Sequence, residues 1–122
     1  MRITIRIYKR HDVDLLAIKH ALGRKMPALV KNAIYSYLSG SDNKISYPKI
    51  AWSSLDDMPT YYLIQLSLNP SNPDEQLICD FIKSIPPGFR NSILKHITRY
   101  YIAPVKCIKF SRKNKIYLSE RN

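Results

Sequence analysis

Apolar and polar residues alternate in two short segments of the chain, residues 2–8 and residues 61–68. A period of two residues is typical of a half-buried β-strand, because successive side chains of a strand point to opposite faces. Each segment therefore predicts a strand with one apolar face and one more polar face. The apolar faces consist of Ile3, Ile5 and Ile7 in the first segment, and of Tyr62, Ile64, Leu66 and Leu68 in the second.

Two segments with helical spacing of apolar residues follow each predicted strand. The predicted helices cover about residues 13–22, 26–38, 73–85 and 90–102. Residues that favour helix ends mark their boundaries. These residues are Asp12 and Asn72 as N-caps, Pro73 at a first helical position, Gly23 at a helix end, and Pro86-Pro87-Gly88 as a break.

The remaining segments, residues 40–60 and 103–122, lack a regular pattern. Residues 40–60 contain Pro48 and Pro59 and show no clear period, which predicts a connector with at most a short helical piece near Trp52 to Leu55. Residues 103–122 alternate only in part. They predict a basic tail that either adds a strand or stays mobile.

The order strand, helix, turn, helix thus occurs twice, in residues 2–39 and 61–102. The second helices match at a shift of 64 positions and the first helices at a shift of 63. We interpret the match as an internal duplication; the alternative is that two amphipathic helix pairs align by chance. The predicted fold is α+β and mainly helical, with two β-α-α units in one domain spanning residues 1–122. At the shift of 64, Leu29, Val30, Lys31, Ala33 and Tyr37 fall on Ile93, Leu94, Lys95, Ile97 and Tyr101.

The charge of the chain indicates the kind of partner that it binds. The chain of 122 residues carries 20 Lys and Arg against 9 Asp and Glu, a net charge of +11. The excess lies in two blocks: residues 1–40 carry 8 − 2 = +6 and residues 88–122 carry 9 − 1 = +8, whereas residues 41–87 carry 3 − 6 = −3. Two basic blocks around an acidic middle indicate one polyanionic partner. The alternative is a cationic surface without a partner.

A short strand with a basic polar face, followed by two helices, resembles the ribbon-helix-helix DNA-binding family, in which two units pair their strands into a ribbon that enters the major groove. The second unit, LIQLSLNPSNPDEQLICDFIKSIPPGFRNSILKHITRYYI, is similar to ParR-type plasmid centromere-binding proteins in its NP-rich turn, acidic helix start and SIP-G-R turn. Family members usually supply one unit per chain and dimerise, whereas this chain holds two. The resemblance implies a pseudo-dimer within one chain, whose DNA half-sites need not be identical.

The polar strand faces supply the candidate base-reading residues, because only one face of a ribbon in the groove looks at the bases. Arg pairs bidentately with guanine, Gln suits adenine, and Thr can touch a thymine methyl. Leu63 shares this face, so either it touches a thymine methyl or the register is off by one residue. The alternative for Arg2 and Arg6 is a charged edge strand that resists aggregation. The candidates are Arg2, Thr4, Arg6, Gln65 and Ser67.

Phosphate contacts are expected at the start of each unit's second helix, where free backbone N–H groups and the helix dipole favour an anion. Such contacts position the ribbon without reading sequence. The candidates are Arg24 and Lys25 before one helix, Arg90, Asn91 and Ser92 at the start of the other, and Lys109, Arg112 and Lys113 in the tail.

Other chemistry has little support in the sequence. No apolar stretch reaches the roughly 18 residues of a membrane helix, and no signal peptide is present, so a cytoplasmic protein without membrane contact is expected. His11, His20 and His96 are too far apart to predict a metal site, and no glycine-rich phosphate loop occurs. We therefore expect neither a metal nor a cofactor.

These features predict a non-enzymatic protein that binds double-stranded DNA sequence-specifically and acts in plasmid partition, maintenance or conjugative transfer, as a monomer or with weak self-association on DNA. The ParR resemblance implies an actin-like filament protein as a partner; in transfer, the partner would be a relaxase. Alternatives are a transcriptional repressor of the same fold, a small basic ribonuclease toxin that uses His or Tyr as acid or base, and an RNA-binding or ribosome-associated protein.

Overall fold

The computed structural model describes residues 1–42, 44–45 and 58–102, together with the backbone of residues 107–110 and 116–119. These residues form a mixed α+β protein that is mostly helical, as predicted. Its elements, in chain order, are β1 (Arg2–Tyr8), α1 (Val13–Leu22), α2 (Met26–Ser39), β2 (Tyr61–Ser67), α3 (Pro73–Ser84), α4 (Pro87–Tyr101), β3 (Cys107–Phe110) and β4 (Ile116–Ser119).

β1 and β2 pair antiparallel and form a two-stranded ribbon. Ile5 lies opposite Ile64, so the two predicted apolar faces meet on the same side of the ribbon. The backbone ladder continues beyond both strands, because Leu68 N–H donates to the Met1 carbonyl at 2.7 Å and Lys9 N–H donates to the Thr60 carbonyl at 2.8 Å. The two predicted strands and the assignment of their buried faces are therefore confirmed.

Helices cover the apolar face of this ribbon. α2 and α4 pack against each other, and each also contacts a strand: α2 contacts β2, and α4 contacts β1. Burial of an aliphatic side chain contributes about 1.5–3 kcal/mol, so this shared cluster holds strands and helices together. Its fully buried members include Ile5, Ile7, Leu16, Ile18, Ile34, Ile64, Leu66, Ile82 and Leu94.

Most predicted helix ends are confirmed. α1 ends at Leu22, before Gly23, whose φ of 58° suits glycine. α3 begins at Pro73, and the Asn72 side chain accepts hydrogen bonds from the backbone N–H groups of Asp74 at 2.9 Å and Glu75 at 3.4 Å. This is the expected N-cap, in which a side-chain oxygen satisfies N–H groups that have no partner within the helix.

Asp12 behaves differently from the prediction. It occupies the N-cap position of α1, but its carboxylate makes no capping hydrogen bond to that helix. One carboxylate oxygen instead accepts the backbone N–H of Tyr8 at 2.9 Å, at the end of β1. The capping prediction is correct for the position and wrong for the side chain, because stronger partners compete for this carboxylate.

The start of α4 is also corrected. The helix begins at Pro87, three residues before the predicted start at Arg90. Proline is well suited to the first turn of a helix, where its missing N–H would have no partner anyway. The Pro86-Pro87 pair therefore ends α3 and begins α4 within one short turn, and Arg90, Asn91 and Ser92 lie inside α4.

The tail contains two short strands. β3 and β4 pair antiparallel, with Cys107 opposite Ser119 and Phe110 opposite Ile116. The short helix predicted near residues 52–55 lies outside the described residues. Among the helices that the structure describes, none is long and apolar enough to cross a membrane.

Candidate nucleic-acid interface

The ribbon has an outer face that points away from the helices. All eight of its side chains are exposed, and none of them is acidic. They stand in four cross-strand pairs, with Arg2 opposite Ser67, Thr4 opposite Gln65, Arg6 opposite Leu63, and Tyr8 opposite Tyr61. The five predicted base-reading residues are therefore brought together on one surface. Leu63 belongs to this face by the observed register, so the possibility of a one-residue slip is excluded.

Asn91 on α4 supports the ribbon at Arg6. Its side-chain oxygen accepts the Arg6 backbone N–H at 2.7 Å, and its side-chain nitrogen donates to the Arg6 carbonyl at 3.2 Å. Both free backbone groups of Arg6 on the outer edge of β1 are thereby satisfied. The Asn91 amide, predicted to contact phosphate, is engaged in holding the strand.

Arg90 and Ser92 flank Asn91 but differ from it. The Arg90 Nε donates to the carbonyls of Ile82 and Ile85, both at 3.1 Å, and so satisfies the C-terminal end of α3. Ser92 is exposed. Neither residue lies at the helix start on which its predicted phosphate contact depended, although both stay candidates for such contacts through their side chains.

Arg24 and Lys25 lie where they were predicted. Both are exposed in a single 3₁₀ turn, Gly23–Lys25, directly before α2. Neither makes an ion pair with a carboxylate in the part of the chain that the structure describes. Their charges can therefore meet a phosphate at the N-terminus of α2, where the dipole also favours an anion.

The tail candidates are only partly placed. Lys109 lies on β3, opposite Tyr117 of β4. Arg112 and Lys113 lie outside the described residues. Their predicted phosphate contacts stay predictions.

An ion-pair network around the buried Asp12, whose carboxylate bonds the Tyr8 backbone at the end of β1, was not predicted from the sequence. Asp12, of which 2% is exposed, accepts hydrogen bonds from Lys95 Nζ at 2.8 Å and from an Arg99 Nη2 at 2.6 Å. Arg99 Nε also donates to Asp14 at 3.0 Å. The only sequence signal was that these two acids stand alone in the basic block of residues 1–40.

This network shifts the acidity of its members. Burial alone would raise the pKa of Asp12, but hydrogen bonds from Lys95, the Tyr8 backbone and Arg99 outweigh it, so the pKa lies below its usual value. Burial would lower the pKa of Arg99, but hydrogen bonds to Asp14 and Asp12 raise it overall. Asp12 and Arg99 therefore both stay charged at neutral pH. Lys95 and Arg99 stabilise the fold here by pairing with the buried Asp12.

Aromatic rings occupy the same end of the outer face. The Arg6 guanidinium lies over the Tyr61 ring, 5.2 Å from its centroid, and Lys95 Nζ lies 5.4 Å from the centroid of Tyr8. The alternation within each strand, which places Tyr8 and Tyr61 on the polar side, was the available signal.

Comparison with known proteins adds no assignment: no protein-family model, curated protein or solved structure matches the chain. Among the described residues, no group of three or more His, Cys, Asp or Glu side chains is arranged to hold a metal ion. The chemistry of the interface is that of its own side chains. They are hydrogen-bond donors and acceptors at two-residue spacing, which include the cations Arg2 and Arg6, and the rings of Tyr8 and Tyr61.

Proposed function

We propose that this protein binds double-stranded DNA sequence-specifically, without catalysis, by inserting the outer face of its β1–β2 ribbon into the major groove. The observation that carries the proposal is the outer face itself. It presents Arg2, Thr4, Arg6, Gln65 and Ser67 together, and it contains no acid.

The dimensions and chemistry of the ribbon support this proposal. Neighbouring strands lie about 4.8 Å apart, and a major groove about 12 Å wide admits a two-stranded ribbon. Arginine recognises guanine through O6 and N7, and glutamine recognises adenine through N6 and N7. Arg2 and Arg6 on one strand, and Gln65 on the other, provide these groups.

We further propose that the two β-α-α units form a ribbon-helix-helix pseudo-dimer within one chain. The support comes from two ion pairs. Lys31 of α2 contacts Glu75 in the first turn of α3 at 3.4 Å, and Lys95 of α4 contacts Asp12 before α1 at 2.8 Å. Lys31 and Lys95 are the matched lysines of the duplication. Each therefore reaches from the second helix of its own unit to the start of the first helix of the other.

The helix–strand contacts favour the same arrangement. α2 of the first unit contacts β2 of the second, and α4 of the second unit contacts β1 of the first. Such reciprocal contacts are what a two-fold relation between units requires. A protein of this kind needs no second copy to complete its ribbon, so we propose that it binds as a monomer, or with weak self-association on DNA.

The biological role that we propose is plasmid partition, maintenance or conjugative transfer in the cytoplasm, on the strength of the resemblance of the second unit to ParR-type proteins. The corresponding partners are an actin-like filament protein or a relaxase. A transcriptional repressor of the same fold is the nearest alternative. Footprinting on plasmid DNA distinguishes these roles, because protection of a repeat array, a nick site or a promoter assigns one of them.

A binding experiment tests the proposed activity. Selection from a random duplex library should yield a preferred sequence, and its affinity should fall with salt with a slope of log K near −5 if about six phosphates are neutralised. Arg6→Ala should weaken binding and Lys83→Ala, a matched loss of one exposed charge on α3, should not. A slope near zero would contradict DNA binding. Tighter binding to RNA, or cleavage of labelled RNA, would favour the alternatives.

A further inference from the structure

The outer face of the ribbon has two chemically different halves. In one half, Arg2 faces Ser67 and Thr4 faces Gln65, so all four side chains carry hydrogen-bonding groups. In the other half, Arg6 faces Leu63, and Tyr8 faces Tyr61. A symmetric ribbon built from two identical strands would present two equal halves. The halves differ here because β1 and β2 have different sequences.

Leu63 is the unusual residue of the second half. It lies inside β2, and its side chain is 40% exposed. Its partner Arg6 uses its backbone N–H to bond Asn91 on the outer edge of β1. Arg6 and Leu63 are therefore a non-hydrogen-bonded cross-strand pair, in which side chains stand close together, with Cβ atoms about 5 Å apart.

The structure fixes the position of Arg6 beside Leu63. Asn91 bonds both the N–H and the carbonyl of Arg6, and the Tyr61 ring lies 5.2 Å from the Arg6 guanidinium. The other unit lacks the equivalent support: the residue 64 positions before Asn91 is Pro27, which has no side-chain amide. This half of the outer face thus combines one cation, one aliphatic side chain and two aromatic rings.

Among the base edges in the major groove, thymine is the one that presents an apolar group, its C5 methyl. Every other edge there presents hydrogen-bond donors or acceptors, which Leu63 would desolvate without replacing their hydrogen bonds. We infer that Leu63 reads the C5 methyl of a thymine beside the base pair that Arg6 contacts, and that the recognised DNA site is asymmetric. This inference rests on the proposed DNA binding and specifies its ligand.

Replacement of thymine by uracil in the selected duplex tests the inference, because uracil lacks the methyl group and keeps every hydrogen-bonding atom. Each thymine is replaced singly, and affinity is measured by fluorescence anisotropy. We expect one position at which uracil weakens binding about fourfold, the effect of one buried methyl group. In the Leu63→Ala variant the ratio of thymine to uracil affinity at that position should fall to about one.

Two further variants serve as controls. Gln65→Ala should weaken binding but keep the fourfold thymine preference, and Lys83→Ala should change neither quantity. Leu63 is exposed, so the Leu63→Ala variant should keep its thermal unfolding midpoint, which is measured in parallel. Tight duplex binding with no uracil effect at any position, or an effect unchanged by Leu63→Ala, would overturn this inference and leave the proposed function intact. Absence of duplex binding would overturn both.

Discussion

The two β-α-α units differ in the side chains that stabilise the start of their first helix. At α3, the neutral Asn72 caps the helix, and Lys31 contacts Glu75 at 3.4 Å near solvent. At α1, the buried Asp12 leaves the helix uncapped and accepts hydrogen bonds from Lys95 and Arg99. The matched lysines therefore face a partly exposed acid in one case and a buried acid in the other.

This difference teaches that a shared architecture does not imply equal energetics. A partly exposed ion pair contributes little, because solvent screens it and two long side chains lose freedom. A buried carboxylate with three hydrogen bonds is different, since removal of one partner leaves uncompensated charge in the interior. Asp12 also accepts the backbone N–H of Tyr8, so the more demanding network supports the end of β1 next to Arg6.

The largest expected effect comes from removing Asp12. Asp12→Ala should lower the free energy of unfolding by about 3 kcal/mol, because Lys95 and Arg99 lose a buried acceptor. Glu75→Ala is the matched control and should lower it much less. Urea denaturation measures both. Equal losses in the two variants would remove the energetic difference between the units.

Acid should reveal the same asymmetry. Because the pKa of Asp12 lies below its usual value in the folded protein, Asp12 contributes stability above the unfolded-state pKa of about 3.9, and that stability is lost as the pH falls through the lowered folded pKa. The free energy of unfolding should therefore decrease on acidification below about pH 4. The decrease should be shallower in Asp12→Asn, measured by denaturation between neutral and acidic pH. An identical acid profile in Asp12→Asn would contradict this assignment.

The next effect in size concerns the two halves of the ribbon. Arg6→Ala should cost about 2 kcal/mol of DNA affinity and relax specificity at one base pair, because a bidentate contact to guanine is lost. Asn91→Ala should weaken binding less and keep the base preference, since it removes only the support of the Arg6 backbone. Selection of preferred sequences with each variant measures both quantities. A lost base preference in Asn91→Ala with an unchanged one in Arg6→Ala would invert the expected roles.

A smaller effect is expected at the helix cap. Asn72→Ala should lower the free energy of unfolding by about 1 kcal/mol, because two N–H groups of α3 lose their acceptor. Thermal denaturation checks this value. Asn72→Asp is the conservative control and should keep most of the stability, as Asp is an equally good cap. A loss as large as that of Asp12→Ala would show that the two helix starts do not differ as described.

The smallest effect is expected for a phosphate contact. Lys25→Ala should weaken binding to all duplex sequences equally and reduce the steepness of the salt dependence by about one unit. Lys83→Ala again provides the control with the same change of charge. A change in base preference on Lys25→Ala would contradict a contact limited to the backbone.

The parts of the fold set by local pattern were predictable from sequence. Alternation gave both strands and their buried faces, since a half-buried strand has a period of two. Asn72 and Pro73 marked the start of α3, because both act on the nearest turn. The start of α4 was missed because a Pro-Pro-Gly run marks a helix end and a helix start equally well, and only the packing of both helices decides between them.

The parts of the site that depend on distant contacts were not predictable. Asn91 was expected to contact phosphate, but it holds the Arg6 backbone, 85 positions away in the chain. Asp12 was expected to cap α1, but Lys95 and Arg99, from the other unit, supply charged donors that the helix end cannot match. Such roles depend on which helices and strands pack against each other. The spacing of residues along the chain does not show these contacts.

The most direct test of the central claim is a residue-by-residue map of DNA binding by NMR. A mixed-sequence duplex of about 20 base pairs, long enough for the ribbon and its flanking phosphate contacts, is added to the ¹⁵N-labelled protein. We predict that the largest shifts of amide resonances lie at residues 2–8 and 61–67, with smaller ones at Arg24 and Lys25. Shifts concentrated on the exposed side of α3, with residues 2–8 and 61–67 unchanged, would contradict the assignment of the ribbon as the DNA interface.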